Sequence, residues 1–241
     1  MNEKLKSFYD QQDTPWMQLF YKLVYAQLPD LDGQKILDFG AGFGWTANYL
    51  AGKGQHKNQL LALEPNAEML ANRLSENDYE MRMGGLLLLE KLPDATFDFI
   101  VCHNVLEYCP DERSKILSEL TRVLKKGGTL SIVKHHFTGS IMQRIVFENA
   151  LDEAYDLLEG SKNHHSGFGT IDYYDLEKLI KNLPLRLVKK YGIGAFNRLQ
   201  PNAFKFSDDW KEKMFKLEMA CSERSEYRDI AFFHHDLLIK K

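Results

Sequence analysis

Apolar residues recur along this chain in two alternating rhythms. Short, nearly continuous apolar runs occur at "KILDF" (35–39), "QLLALE" (59–64), "FDFIVCHN" (97–104) and "TLSIVK" (129–134). Their length and composition predict strands buried on both faces. "EMRMGG" (80–85) predicts a weaker strand of the same set. Between these runs the apolar spacing becomes helical, at 45–53, 66–77 and 111–128. Asn66 is placed to cap the second of these helices, and Gly127 and Gly128 close the third. A further helical pattern at 15–28 has Pro15 in its first turn. Strand and helix in alternation predict a parallel sheet covered on both faces. The second half is less regular. It predicts helix over 140–159, a loop at 161–169, helix at 175–183, strand at 185–193, helix at 208–224 and a last strand at 228–241.

Composition narrows the setting. The formal net charge of −3 gives no bulk attraction to nucleic acid or membrane, although it leaves room for a local basic patch. Cys102, Cys109 and Cys221 are odd in number and lack metal-ligand spacing, so they predict reduced thiols in a cytoplasmic protein. The first residues, "MNEKLKSFYDQQD", lack the apolar centre of a signal peptide. The longest apolar run, "GGLLLLEKL", is strand-sized, against the roughly eighteen residues a spanning helix needs, so no membrane association is expected. We read residues 1–241 as one domain with no internal repeat.

The chemistry is concentrated at "ILDFGAGFGWTANYLA" (36–51). Glycines at 40, 42 and 44 let a strand-to-helix turn approach a ligand where side chains would collide. Such a trio is also compatible with a purely structural turn, and two neighbours decide the reading. A dinucleotide fingerprint wants a small residue at position 45, where this chain has Trp45. Asp38, two residues before the first glycine, would repel a pyrophosphate. It would attract S-adenosylmethionine, which carries a sulfonium and an ammonium and no phosphate. Glu64 ends the next strand, about twenty residues on, where a carboxylate can accept both ribose hydroxyls. A dinucleotide oxidoreductase is therefore disfavoured.

"ILDFGAGFG", "LALEPNAEML", "LPDATFDFIVCHNVLEYCPD" and "LTRVLKKGGTLSIV" resemble, in order and spacing, successive motifs of class I S-adenosylmethionine-dependent methyltransferases, over about 35–135. The resemblance implies an α/β Rossmann-like fold with a seven-stranded, mostly parallel sheet of order 3-2-1-4-5-7-6. It also implies S-adenosylmethionine as cofactor and S-adenosylhomocysteine as product. Carried onto this sequence, Asp38, Gly40, Ala41, Gly42 and Gly44 border the amino-acid portion and Glu64 holds the ribose. Pro65, Asn66 and Met69 lie beside it, with Met69 toward the adenine, and His103 lies near the methionine end. The family's usual acid for the adenine amino group is absent from "GGLLLLEKLPD", leaving backbone or Glu90 for that contact. In related enzymes an N-terminal segment covers the cofactor. That places residues 1–34 as a helical lid in which Tyr9 and Trp16 cover the methionine end, with a plain core role for Trp16 equally open. Residues 35–135 would bind the cofactor and 136–241 would supply the substrate side.

The later segments "HNVLEY", "LSIVKHHFTGSIMQRIVFENALD", "YGIGAFNRL" and "LEMACSERSEYRDIAFFHHDLLIKK" are similar to the bacterial tRNA wobble-uridine 5-carboxymethoxy methyltransferases. That resemblance implies methyl esterification of a carboxylate on a tRNA nucleoside. The chain departs from it at "SKNHHSGFG", where that subgroup tends to carry lysines, and lysines supply affinity for a phosphate backbone. The alternatives are a methyltransferase acting on a small metabolite and a non-catalytic module that senses S-adenosylmethionine.

A carboxylate acceptor needs no base, whereas a hydroxyl or amine does. The adjacent pairs His135–His136, His164–His165 and His234–His235 do not chelate one ion from a strand, since neighbours point to opposite faces, so no metal is expected. His135 and His136 follow the fifth strand at its carboxyl end, where ligands of open α/β sheets bind, and are the candidate catalytic residues. The loop around His164 and His165 could close over the site. Phe137, Phe168 and Phe196 could line a pocket for a flat base, and Arg144, Arg198 and Arg224 could meet an anionic substrate.

Overall fold

The computed structural model describes residues 1–161 and 163–241. Its strands are β1 Lys35–Phe39, β2 Gln59–Glu64, β3 Glu80–Met83, β4 Phe97–His103, β5 Leu124–His135, β6 His164–Ser166, β7 Gly169–Ile171, β8 Leu185–Ile193 and β9 Phe233–Lys240. Its α-helices are α1 Glu3–Asp10, α2 Pro15–Gln27, α3 Trp45–Ala51, α4 Ala67–Ala71, α5 Leu86–Leu89, α6 Arg113–Val123, α7 Phe137–Val146, α8 Leu151–Leu158, α9 Leu176–Ile180, α10 Trp210–Cys221 and α11 Ser225–Arg228. Seven strands form one sheet in the order β3-β2-β1-β4-β5-β9-β8, and β6 and β7 form a separate hairpin. Counted within the sheet alone, the order is the 3-2-1-4-5-7-6 that the motifs imply. β9 is antiparallel to both its neighbours, and the remaining pairs from β3 to β5 are parallel.

The apolar runs are continuous because both faces of the sheet are covered. On β1, Leu37 joins the core built with Leu117 and Leu120 of α6, while Ile36 joins the core built with Leu50 of α3. On β4, Ile100 faces the first core, and Phe99 and Val101 face the second. Each strand thus supplies alternate residues to opposite layers.

The differences from the sequence pattern have local causes. The helix expected over 66–77 stops at Ala71, because tertiary hydrogen bonds take over its backbone. The Leu74 amide donates to the Phe43 carbonyl at 2.9 Å and the Asn77 amide to Asn48 Oδ1 at 2.8 Å. The helix expected over 111–128 ends at Val123, because Leu124 already pairs with Phe97 and the register then jumps to Phe99–Thr129. The stretch 140–159 breaks into α7 and α8 around Asn149, which holds a positive φ of 52°. The last helix ends at Cys221, and α11 occupies the start of what reads as a strand from residue 228, so β9 begins only at Phe233. The stretch 161–169 is partly ordered as the β6–β7 hairpin, with Lys162 outside the described residues. Half of the apolar run 84–92 is helical, as α5. Helix α1 goes beyond the pattern reading. Asn2 caps it, its side chain accepting the Leu5 amide at 2.9 Å.

Candidate active site

The glycine turn sits at the carboxyl end of β1. Gly40, Gly42 and Gly44 hold φ of 76°, 58° and 73°, where an L side chain costs about 1–2 kcal/mol. The Gly40 and Ala41 amides both donate to the Leu63 carbonyl, at 2.9 and 3.0 Å, and fasten the turn to β2. A Cβ at Gly40 would collide with Val105, and one at Gly44 with Tyr79. A Cβ at Gly42 meets nothing within 4 Å, because this position opens into a cavity.

That cavity has a volume of about 920 Å³ and runs along the carboxyl ends of the strands. Asp38, Gly40, Ala41 and Gly42 line one part, and Glu64, Pro65, Asn66 and Met69 the part beside β2. Glu64 Oε2 accepts the Gly42 amide at 2.7 Å and Oε1 accepts the Asn66 amide at 2.8 Å, so the carboxylate is oriented by backbone. Asn66 Oδ1 in turn caps α4. Asp38 is buried and its Oδ2 has no hydrogen-bond partner. Burial, followed by the neighbouring Glu64 charge, pushes its carboxyl up to about 7, against a lowering backbone hydrogen bond from Ala47. A buried carboxylate with an orphaned oxygen, beside an open glycine, fits a ligand that brings positive charge.

Three of the cofactor and catalytic candidates fall outside the cavity wall, and of the three pocket phenylalanines Phe137 and Phe196 do too, leaving Phe168. Gly44 caps α3 behind the turn and faces Tyr79. Tyr9 turns its ring to Phe43, at 4.9 Å between centroids, while its helical neighbour Phe8 lines the cavity instead. His136 stacks on His234 at 3.8 Å and its Nδ1 donates to the Ala231 carbonyl at 3.1 Å. Adjacent strand residues face opposite ways, so of this pair only His135 reaches the cavity. Trp16 lines the cavity and its ring also packs edge-on against Phe206.

His103 touches the cavity, but its ring is committed to the interior. His235 Nδ1 donates to Gln27 Oε1 at 2.8 Å, which leaves its Nε2 to accept from Ser131. Ser131 Oγ then accepts from His103 Nε2 at 2.8 Å. Burial, reinforced by His235, holds His103 well below the usual imidazole range, and it stays neutral. At the adenine end, the candidate Glu90 pairs with Lys115 at 2.9 Å, and the cavity is lined by Gly84, Gly85 and Leu86.

The other end carries chemistry that the motifs only hinted at. Glu107 stands on the 3-10 turn Leu106–Tyr108 that follows β4, almost fully buried. His135 Nδ1 donates to Glu107 Oε1 at 2.7 Å, and the His135 amide reaches the same oxygen at 3.3 Å. This fixes the tautomer and leaves Nε2 as an acceptor. The imidazole lies 4.7 Å from the Phe233 ring and 5.5 Å from Phe232. Phe8 of α1 meets Phe168 of the hairpin edge-on at 4.7 Å, joining two distant segments along one side of the cavity. Glu107 lies within "HNVLEY", and nothing in its spacing announced a partner 28 residues away. Phe8 was recoverable from the Asn2 cap. Among the described residues, no group of three or more His, Cys, Asp or Glu could hold a metal ion.

Comparison with known proteins agrees with this geometry. Residues 37–132 match the family model described as a methyltransferase domain. The malonyl-[acyl-carrier protein] O-methyltransferase of Erwinia billingiae is 33% identical over 96 residues, 40% of this chain and 37% of that protein. The tRNA 5-carboxymethoxyuridine methyltransferase of Escherichia coli K12 is 30% identical over 123 residues, 48% of this chain and 45% of that protein. The matches thus span less than half the length of these curated relatives. Among solved structures, the complex of the Haloferax volcanii Trm112 methyltransferase activator with a methyltransferase aligns with TM-score 0.64 at 17% identity, covering 98% of this chain and 93% of that one. An S-adenosylmethionine-dependent methyltransferase from Mesorhizobium loti aligns with TM-score 0.59 at 17% identity, covering 92% and 98%. The fold is that of these solved methyltransferases, and residues 37–132 match a methyltransferase domain. S-adenosylmethionine is the cofactor that this domain implies. No helix among the described residues is long and apolar enough to cross a membrane.

Proposed function

We propose that this chain methylates a protonated oxygen or nitrogen of a small acceptor, with His135 as general base. The observation that carries this reading is His135 in the wall of the cavity that also holds the glycine turn, backed from behind by the buried Glu107. Bound S-adenosylmethionine supplies an electrophilic methyl group on a positively charged sulfur. Glu64 and Asn66 are placed to hold its ribose, Met69 its adenine face and Asp38 its ammonium. The aromatic side formed by Phe8, Phe168 and Trp16 keeps water from the reacting atoms. His135 Nε2 takes the acceptor's proton, and the buried Glu107 carboxylate steadies the imidazolium that results. A carboxylate acceptor would have no use for this pair.

The test is turnover to S-adenosylhomocysteine with a metabolite extract and with total tRNA. His135→Gln and Glu107→Gln should each lower kcat by about 10²–10⁴, the usual worth of general-base catalysis, with S-adenosylhomocysteine binding unchanged. A second reading, esterification of a carboxylate on a tRNA wobble uridine, is supported by the identity to the Escherichia coli tRNA enzyme. Under that reading total tRNA is the substrate, turnover survives His135→Gln, and affinity falls steeply with salt. Tight cofactor binding without turnover on either substrate pool would favour the non-catalytic sensor.

A further inference from the structure

Of the three arginines that could meet an anion, the structure separates one from the others. Arg144 is held by Glu148 at 3.0 Å and Glu153 at 2.8 Å. Arg224 is exposed and lies 4.0 Å from Glu226. Arg198, on the 3-10 turn Asn197–Leu199 beyond β8, lines the cavity. Among the described residues no carboxylate lies within ion-pair distance of it. Its Nε donates to Gln143 Oε1 of α7 at 2.8 Å, and its guanidinium carbon sits 4.1 Å from the centre of the Phe232 ring and 5.9 Å from that of Phe233. Burial lowers it to about 10 against the raising charge of Glu148, which is already paired with Arg144, so it remains a cation near neutral pH.

The fold holds this cation rigidly without neutralising it. The turn leading into Arg198 is clamped by Glu218 of α10, a buried carboxylate that accepts the amides of Ala195, Phe196 and Asn197 at 3.0, 3.0 and 2.9 Å. A carboxylate is thus used to fix the loop that carries Arg198, and the guanidinium itself is left for something else. A desolvated cation with a fixed fork is suited to a planar anion that can accept two parallel hydrogen bonds. Its position relative to the base is also defined. Arg198 and His135 rest on the same two rings, Phe232 and Phe233, and both line one cavity.

We infer that Arg198 anchors a carboxylate of the methyl acceptor, so that the acceptor is a small acid carrying a separate hydroxyl or amino group for His135. The inference rests on the methyltransferase reading. The same chemistry could come from the α-carboxylate of the cofactor. The turn that would border that part of the cofactor belongs to β1, whereas the Arg198 guanidinium rests on Phe232, the residue before β9, three strands along the sheet. The acceptor is therefore the assigned source.

The experiment uses the whole chain loaded with S-adenosylhomocysteine, titrated with 4-hydroxybenzoate, benzoate and acetate, and with the corresponding neutral amides. At least one acid should bind tenfold or more tightly than its amide. Arg198→Lys and Arg198→Met should abolish that preference while leaving S-adenosylhomocysteine affinity within about twofold. The lysine variant, which keeps the charge, guards against misfolding, and S-adenosylhomocysteine binding reports that each variant is folded. Equal binding of acids and amides to the parent chain would overturn the inference, as would an acid preference that survives in Arg198→Met. A tenfold loss of S-adenosylhomocysteine affinity in both variants would assign the arginine to the cofactor's own carboxylate and also overturn it. Failure of the parent chain to bind S-adenosylhomocysteine at all would instead overturn the methyltransferase reading.

Discussion

Cofactor affinity should depend on pH through Asp38. Its carboxyl, ordinarily at 3.8, is raised to about 7 by burial and by Glu64. At about pH 6 roughly nine-tenths of the free protein therefore carries a proton there. A bound ammonium or sulfonium favours the ionised form, so binding lowers this pKa and expels the proton. The free protein then holds more protons than the complex, and affinity must rise with pH until about 7 and level off above it. Between the two pKa values each pH unit is worth about tenfold, or about 1.4 kcal/mol. Calorimetry of S-adenosylmethionine binding at about pH 6 and about pH 8, in buffers of different ionisation enthalpy, measures both the affinity and the protons released. The parent chain should release close to one proton at the lower pH and far fewer at the higher. Because the ligand's own amine also titrates, Asp38→Asn is the reference. It should bind about tenfold more weakly at high pH and lose the Asp38 part of the slope. An unchanged slope in Asp38→Asn would refute the argument, because it would mean that the orphaned Oδ2 does not face the cofactor's charge.

Three further outcomes follow from named contacts. Gly42→Ala places a Cβ where nothing stands within 4 Å, at φ 58°. It should cost only about 1–2 kcal/mol in thermal unfolding yet weaken S-adenosylhomocysteine binding at least tenfold, since the methyl enters the cavity. Gly139→Ala would drive a Cβ into the Ala231 backbone, which cannot move aside. Its denaturation midpoint should fall by an amount corresponding to about 2–4 kcal/mol. Glu218→Gln turns one carboxylate oxygen into a donor NH2, leaves at least one of the three clamped amides without an acceptor, and should cost about 1–3 kcal/mol of stability. It should also weaken binding of carboxylate probes without changing S-adenosylhomocysteine affinity.

The part of the cavity around the glycine turn was readable because the residues that line it are local in sequence. Asp38 and the glycine turn lie within seven residues, and Glu64, Pro65, Asn66 and Met69 follow one strand end. Backbone geometry at a strand end transmits such a motif almost directly into a position in space. The order of the sheet was readable for a related reason, since continuous apolar runs separated by helical spacing leave few arrangements that bury both faces. Helix ends were not, and the two helices of the first half that stop early do so for the same cause. Leu74 pairs with Phe43, Asn77 with Asn48 and Leu124 with Phe97, and none of these partners lies in the helix it shortens.

The acceptor half was illegible because it is made of pairings across long sequence separations. His135 was picked out by its place after β5, but so was His136, and only the pleat of the strand separates them. What gives His135 a direction is Glu107, reached through the neighbouring β4. What distinguishes Arg198 from Arg144 and Arg224 is that, among the described residues, no carboxylate lies within ion-pair distance of it, a property that no local pattern encodes. The same holds for Glu218, which reads as one more charged residue on α10 and instead fixes the turn that carries Arg198. A domain that keeps its cofactor determinants local and its acceptor determinants distributed can change acceptor by altering single long-range pairs while the glycine turn stays intact. Under the proposed reading, the choice of acceptor in this chain lies in the His135–Glu107 and Arg198–Gln143 pairs rather than in the glycine turn.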